Sequence, residues 1–421
     1  MTSRNVDEAH ELGSRVFKTK IEPQPPSDAY NFLRVDISSF LASRLSSFMT
    51  LEAIIESTPG QRDPYYVLLV PMEYKDGTVM GDIEAYIEEK LAGCHLKLKV
   101  LYGRVGFQCS SLPTNPYRYD IVECGSSIGP AGENWNGSFG GYLIDEASGE
   151  LFGVTCAHNL CRYSWETEGI TAEQLVELLP MELPILQPSA QDKLRHLQSI
   201  DNAISDLQMR CDRISARADP SDPPSYKITK LQSDIQRLQK DKTELALSND
   251  EFAVRTEFCE LAIVANTLFD YALLRITNSD RQGVNSINGV EIIHPDEHDL
   301  DEGALIYMAG RSSGASFGKL LGYLGDGKVE RIAEPFRCLF ASGRKGVELP
   351  FSDAGDSGSW VRKGPFAIGY VFGEGVTASE PLAASWIADL NVVCSRIQER
   401  WGKKLTVYEE WYAGARLGVG S

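Results

Sequence analysis

Three short segments of this chain carry residue types that could make and break an acyl bond: Thr155-Cys156-Ala157-His158, Phe269-Asp270-Tyr271-Ala272-Leu273-Leu274 and Gly355-Asp356-Ser357-Gly358-Ser359-Trp360. A serine hydroxyl is a weak nucleophile at neutral pH. It needs an imidazole to take its proton and a buried carboxylate to hold that imidazole in the right tautomer. His158, Asp270 and Ser357 supply those three groups in that order. The glycine ahead of the Asp-Ser pair lets the backbone turn sharply, so the amides of Gly355 and Ser357 can aim at one developing oxyanion. The chemistry open to such a set is acyl transfer.

Order narrows the possibilities. His, Asp, Ser is the chymotrypsin sequence of roles, whereas subtilisins run Asp, His, Ser and α/β-hydrolases run Ser, acid, His. Gly310-Arg311-Ser312-Ser313-Gly314 satisfies the α/β-hydrolase pattern, but the last histidine is His298, so no base follows Ser312. A subtilisin order would have to draw on Asp145, whose neighbours read as a hairpin turn.

At these residues, and over roughly 124 to 405, the chain resembles the trypsin-like (chymotrypsin-fold) serine proteases. Ser138 to Ile144 followed by Gly149 to Thr155 is similar to the strand pair that delivers the catalytic histidine. Gly310-Arg311-Ser312-Ser313-Gly314 with Gly318 resembles the G-R-x-S-G-x-x-x-G hairpin of intracellular and microbial members. Gly369 to Gly375 resembles the strand that pairs with the substrate backbone, and Trp386 to Trp401 the C-terminal helix. The resemblance implies two six-stranded β-barrels and an intracellular serine endopeptidase that needs neither cofactor nor metal. Its substrate would be a protein or peptide.

The resemblance also implies a substrate pocket. Its base would lie six residues before the nucleophile, at Phe351, with Ser352, Phe372, Gly373 and Glu374 as further substrate-binding positions. Phe351 suits an apolar or small residue, Glu374 would favour a basic one, and Asp353 adds a second charge, so the preference stays open. Secreted members free an N-terminus that pairs with the aspartate at the place of Asp356. No Ile-Val-Gly-Gly-like sequence lies between the N-terminal region and Gly137, so Asp356 is expected to find another partner or face water. A second function class remains open, a catalytically silent protease-fold interaction or regulatory module acting through the N-terminal domain and the helical hairpin described below.

Composition bears on setting and partners. Nine cysteines form no CxxC and no metal-like cluster with the six histidines, which points to free thiols in a reducing compartment. Forty-one basic against fifty-nine acidic residues give a net charge of −18, with no Lys/Arg cluster interleaved with aromatics, which speaks against nucleic acid. The opening residues have no apolar h-region and the longest apolar run, Tyr65 to Met72, is too short to span a bilayer. The expectation is a cytoplasmic protein with no membrane contact.

The elements that must position these groups follow from periodicity. Residues 1–27 read as a disordered tail, 28–123 as a small α/β domain, 124–405 as the protease part and 406–421 as a C-terminal tail. Tyr65 to Val70 predicts a buried strand, Gly81 to Leu91 a helix with Ile83, Tyr86, Ile87 and Leu91 on one face, and Leu96 to Tyr102 an alternating strand. His158 to Asp270 spans 112 residues against roughly 45 in the chymotrypsin template, while Asp270 to Ser357 spans 87 against roughly 90. The surplus holds two stripes at coiled-coil spacing, apolar except at Lys242: Leu197, Ile200, Ile204, Leu207, Cys211, Ile214 and Ile228, Leu231, Ile235, Leu238, Lys242, Leu245. Asp219-Pro220-Ser221-Asp222-Pro223-Pro224-Ser225 separates them and cannot continue a helix. The expected fold is therefore mainly β with an α/β N-terminal part, interrupted over 187–249 by an antiparallel helical hairpin. That hairpin is expected on a surface loop, as a tolerated insertion or as the docking site of a protein partner.

Overall fold

The computed structural model describes residues 28–107, 121–160, 184–216, 226–276, 282–294, 304–320, 325–328, 336–343, 351–377 and 383–409, short of positions 59–60, 76, 93, 95, 134–135, 249, 265–266, 288 and 354. The tail expected at 1–27, residues 410–421 of the C-terminal tail, and the proline-rich link at 219–225 lie outside the described residues.

Helix α1 (Asp28–Arg44), strands β1 (Phe48–Thr58) and β2 (Gln61–Pro71), helix α2 (Val79–Leu91) and strand β3 (Lys97–Phe107) come first. β1 runs antiparallel to β2 with Met49 opposite Leu69, and β2 runs parallel to β3 with Tyr65 opposite Lys97. A parallel pair needs a crossover, and α2 supplies it. α2 begins two residues before the expected Gly81 and buries Met80, Ile83, Ile87 and Leu91, spaced at helical intervals. β2 is apolar at every position from Tyr65 to Val70 because both of its faces are covered. Tyr66, Leu68 and Val70 meet Ile37, Leu41, Ile83 and Ile87 from the two helices. Val67 and Leu69 point the other way, into the cluster that holds Phe139, Tyr142, Trp360 and Trp386. One face of this first sheet is thus part of the main core.

The next stretch is built from β4 (Ser127–Pro130), β5 (Gly137–Ser138), β6 (Gly141–Asp145), β7 (Leu151–Thr155), β8 (Ile185–Leu186), α3 (Ala190–Ser215), α4 (Tyr226–Leu247), β9 (Glu251–Val264) and β10 (Thr267–Ile276). Their pairings run β4–β8–β9–β10–β7–β6, antiparallel throughout. α3 and α4 touch and run in opposite directions, since Lys193 pairs with Asp250 at 2.6 Å and Lys242 with Asp201 at 2.5 Å. Ile200, Cys211, Ile228, Ile235 and Leu245 of the apolar stripes are buried while most intervening residues face solvent.

The remainder comprises the short pair β11 (Ser286–Ile287) and β12 (Val290–Glu291), then β13 (Leu305–Gly310), β14 (Gly314–Leu320), β15 (Gly325–Lys328), β16 (Phe336–Gly343), β17 (Trp360–Lys363), β18 (Phe366–Thr377), β19 (Ala383–Asp389), helix α5 (Leu390–Trp401) and β20 (Leu405–Val407), which pairs with β6. Six of these strands pair in a circuit, from β13 through β14, β16, β19, β18 and β17 back to β13. The first sheet is built into this part at both edges: β1 pairs with β15 and β3 with β18. The fold is mainly β.

One expectation needs correcting. The helix expected from Trp386 to Trp401 starts only at Leu390, because Ala383 to Asp389 is a strand between β16 and β18. Asp389 ends that strand, and its carboxylate accepts from the amides of Asn391 at 2.8 Å and Val392 at 3.3 Å, capping the helix. No helix among the described residues is long and apolar enough to cross a membrane.

Candidate active site

β7 ends at Thr155, and Ala157–Asn159 forms a single tight turn that carries His158. Strand β10 lies beside β7 with Ala272 opposite Thr155, which sets Asp270 just past the end of β7. The two side chains meet there. Asp270 Oδ2 lies 2.5 Å from His158 Nδ1, and Oδ1 accepts from the His158 amide at 3.1 Å. One carboxylate therefore fixes both the ring and the backbone of one histidine. Asp270 is 1% exposed and His158 4%. Tyr370 donates to the Asp270 carbonyl at 3.0 Å, and burial pushes its hydroxyl well above the ordinary range, which keeps it a donor.

Cys156 Sγ, a ring nitrogen of His158 and a carboxylate oxygen of Asp270 lie within 4.8 Å of one another, so these three could in principle ligate a metal. The His158–Asp270 contact is at hydrogen-bond distance. A metal bound by both would need each donor at about 2.0–2.2 Å from itself, which spreads nitrogen and oxygen well beyond 2.5 Å. Cys156 instead points its thiol at the Val371 carbonyl, at 3.4 Å.

The Ser357 loop is locked against the histidine segment through its backbone. Ser357 O accepts from the Ser138 amide at 2.9 Å and from Asn159 Nδ2 at 2.8 Å, and the same Nδ2 reaches Thr155 Oγ1 at 3.0 Å. Ser138 Oγ donates to Gly355 O at 3.0 Å. Gly355 (φ +99°) and Gly358 (φ +94°) flank Asp356 and Ser357 in backbone conformations that favour glycine. A Cβ at 358 would also lie 2.3 Å from Ser138 O. The Ser357 hydroxyl donates to the Phe372 carbonyl at 3.1 Å. With its one proton there, the hydroxyl does not donate to the imidazole in this rotamer. The bonds that Asn159 and Ser138 make are not marked in the sequence, because a single polar side chain beside a motif has no periodicity.

Asp356 does not face water. It is fully buried and accepts from the amides of Ser312 at 2.7 Å, Ser313 at 3.2 Å and Asp353 at 2.8 Å, and from the Ser313 hydroxyl. Burial pushes its carboxyl above the ordinary value while these four bonds pull it down. Beside it, Arg311 forms a two-pronged ion pair with Asp192 in the first turn of α3, Nη2 to Oδ1 at 2.7 Å and Nε to Oδ2, and both residues are fully buried. Ser127 Oγ adds a bond to Asp192 at 2.6 Å. The root of the helical pair is therefore inside the protein, which corrects the expectation of a surface loop. A buried guanidinium demands a carboxylate, and α3 supplies it.

The substrate-binding positions expected from the sequence are all enclosed. Phe351 and Ser352 are 0% exposed, Phe372 1% and Glu374 3%, and Gly373 is also buried. Phe351 belongs to an apolar cluster with Ile306, Val361, Val371 and Ile387, so it packs as core. Ser352 Oγ and Ser385 Oγ share a hydrogen bond at 2.5 Å.

No family model and no curated protein matches this chain. Among solved structures, a glutamic-acid-specific serine protease is similar with a TM-score of 0.35 and 15% identity, covering 68% of this chain and 100% of its own. Thermobifida fusca protease A has a TM-score of 0.35 and 12% identity over 68% of this chain and 100% of its own. A Nocardiopsis protease has a TM-score of 0.33 and 11% identity over 69% and 100%.

Proposed function

We propose that this chain is a serine endopeptidase that hydrolyses protein or peptide substrates through an acyl-enzyme, on a chymotrypsin-type pair of β-barrels with α3 and α4 as an inserted helical hairpin. The observation that carries this reading is the buried His158–Asp270 pair, formed between residues 112 apart in the chain and joined by neighbouring Asn159 to the backbone of Ser357. Asp270 holds Nδ1 as the protonated nitrogen, which leaves Nε2 as the basic one. Reaction begins when the Ser357 hydroxyl leaves the Phe372 carbonyl. Its proton passes to Nε2 as Oγ bonds to the scissile carbonyl carbon, and the developing oxyanion is met by the Gly355 and Ser357 amides, which donate to no acceptor among the described residues. The imidazolium returns the proton to the leaving amine, and water repeats the cycle on the acyl-enzyme. Ser352, Phe372, Gly373 and Glu374 line the path of the substrate in this reading.

A fluorophosphonate probe bonds only to an activated serine. The expected outcome is labelling of Ser357, mapped by mass spectrometry, and its complete loss in Ser357→Ala with the thermal midpoint shifted by no more than a few degrees, since a small hydroxyl leaves little cavity (about 1 kcal/mol or less). Labelling that persists at full stoichiometry in the variant would refute the assignment and make Ser312 the first residue to test.

A further inference from the structure

One edge of β18 is shared by three partners in succession. Phe366 to Tyr370 pair with β17, Val371 exchanges backbone bonds with Gly358 and Ser359 of the nucleophile loop, and Phe372 accepts the Ser357 hydroxyl. From the next residue on, the edge belongs to β3: Gly373 lies opposite Phe107, Glu374 opposite Gly106, Gly375 opposite Val105, Val376 opposite Arg104 and Thr377 opposite Gly103. β3 runs antiparallel to β18, so it advances along this edge toward the nucleophile and ends one register position from the residue that holds the serine proton. An extended peptide read by backbone pairing beside Ser357 needs this same stretch of edge, because strand addition uses the unpaired amides and carbonyls of an open strand.

Two further observations fit an occupied edge. Ser357 and each expected substrate contact are buried, which leaves an incoming peptide nothing to touch. The strand is also held from behind. β1 pairs with β15 across Phe48–Lys328 to Thr50–Asp326, and Trp386 Nε1 donates to Met49 Sδ at 3.1 Å. Pairing of β3 with its own neighbour β2 stops at Gly103, so residues 104–107 have β18 as their one strand partner among the described residues.

Resting on the protease reading above, we infer that β3 is an internal occupant of the substrate-binding edge and that the protein is held inactive until residues 103–107 leave β18. The chain carries its own strand-shaped ligand, and activation is release of that strand.

The test replaces Val105 by proline, which has no backbone N–H to donate and whose ring crowds a ladder, at a position beyond the β2 pairing. In Val105→Pro the fluorophosphonate should label Ser357 on the order of tenfold faster or more than in the wild-type chain, because labelling scales with the fraction of molecules whose edge is open. The amides of Gly373 to Thr377 should lose protection from hydrogen exchange in the same variant. Equal labelling of both proteins would overturn the inference and leave the protease reading standing. Exposed amides with no labelling of either protein would overturn both. If the variant does not fold, the wild-type chain in urea below its unfolding transition gives the same answer: labelling should rise together with exchange at Gly373 to Thr377, and a rate that stays flat overturns the inference.

Discussion

Asn159 does for Ser357 what Asp270 does for His158: a short side chain uses its polar end to fix a neighbouring backbone. Its amide nitrogen bridges Ser357 O and Thr155 Oγ1, so the end of β7 and the Ser357 loop share one donor. Asn159→Ala should cost about 1 kcal/mol, the net worth of such a bond, because Ser357 O keeps the Ser138 amide. Asn159→Asp should cost more, about 2–3 kcal/mol, since it sets a carboxylate against the Ser357 carbonyl, which can only accept, and the Thr155 hydroxyl, whose proton already goes to Ser138 O. Thermal melts of both variants, with probe labelling normalised to folded protein, check the ranking, and labelling should slow in the same order. At this scale the sequence was legible where a residue type implies a chemistry. His158, Asp270 and Ser357 could be named because few residue types suit the roles proposed for them, whereas Asn159 is one of several polar residues that could have faced water.

The helical pair shows the same division at the level of elements. Its stripes were legible because every third or fourth residue is apolar and those residues are the ones withdrawn from solvent. Its root was not, because Asp192 and Arg311 lie 119 residues apart and nothing in their local sequences ties them together. The far end of β3 was missed for another reason. The alternating pattern that marked Leu96 to Tyr102 stops there, and residues 103–107 are held through backbone pairing, which any residue except proline can make. Two changes separate root from arm. Replacing residues 205–237 by a short Gly-Ser turn keeps the Lys242–Asp201 crossing and should leave the thermal midpoint and probe labelling near wild type, as loop closure depends only weakly on length. Asp192→Ala should instead destabilise the protein by about 3–5 kcal/mol, because it leaves the Arg311 guanidinium buried without its carboxylate. Denaturant unfolding of the two variants measures the contrast.

Across the whole molecule, the C-terminal segment closes back onto the strands that carry His158. β20 pairs with β6, and just ahead of it Lys403 reaches Asp145 at 3.1 Å and Glu150 at 3.2 Å, while Arg275 of β10 also bonds Glu150. Burial pushes both carboxyls up, but for Asp145 the bonds from Ser148 and Lys403, and for Glu150 those from Arg275 and Lys403, outweigh it and hold them below their ordinary values. A carboxyl held low in the folded state stabilises it fully above the unfolded value, about 4, and that contribution disappears as pH falls through the lowered one. The amides of Leu405 to Val407 should therefore be less protected at pH 3 than at pH 6, once each exchange rate is divided by its intrinsic rate at that pH. If their protection were unchanged at pH 3, this clamp would contribute nothing. The circuit formed by β1, β2 and β3 with β18, β19, β16 and β15 has a consequence of another kind. A strand tethered on both sides of its target competes at a local concentration on the order of millimolar or above. A free peptide at micromolar levels is outnumbered by roughly a thousandfold, so the ladder need not be tight to keep strangers out. What decides when the edge comes open is then the mechanical integrity of the tether, and heat, a pulling partner or a single cut in the tether would each act as a trigger without touching His158, Asp270 or Ser357.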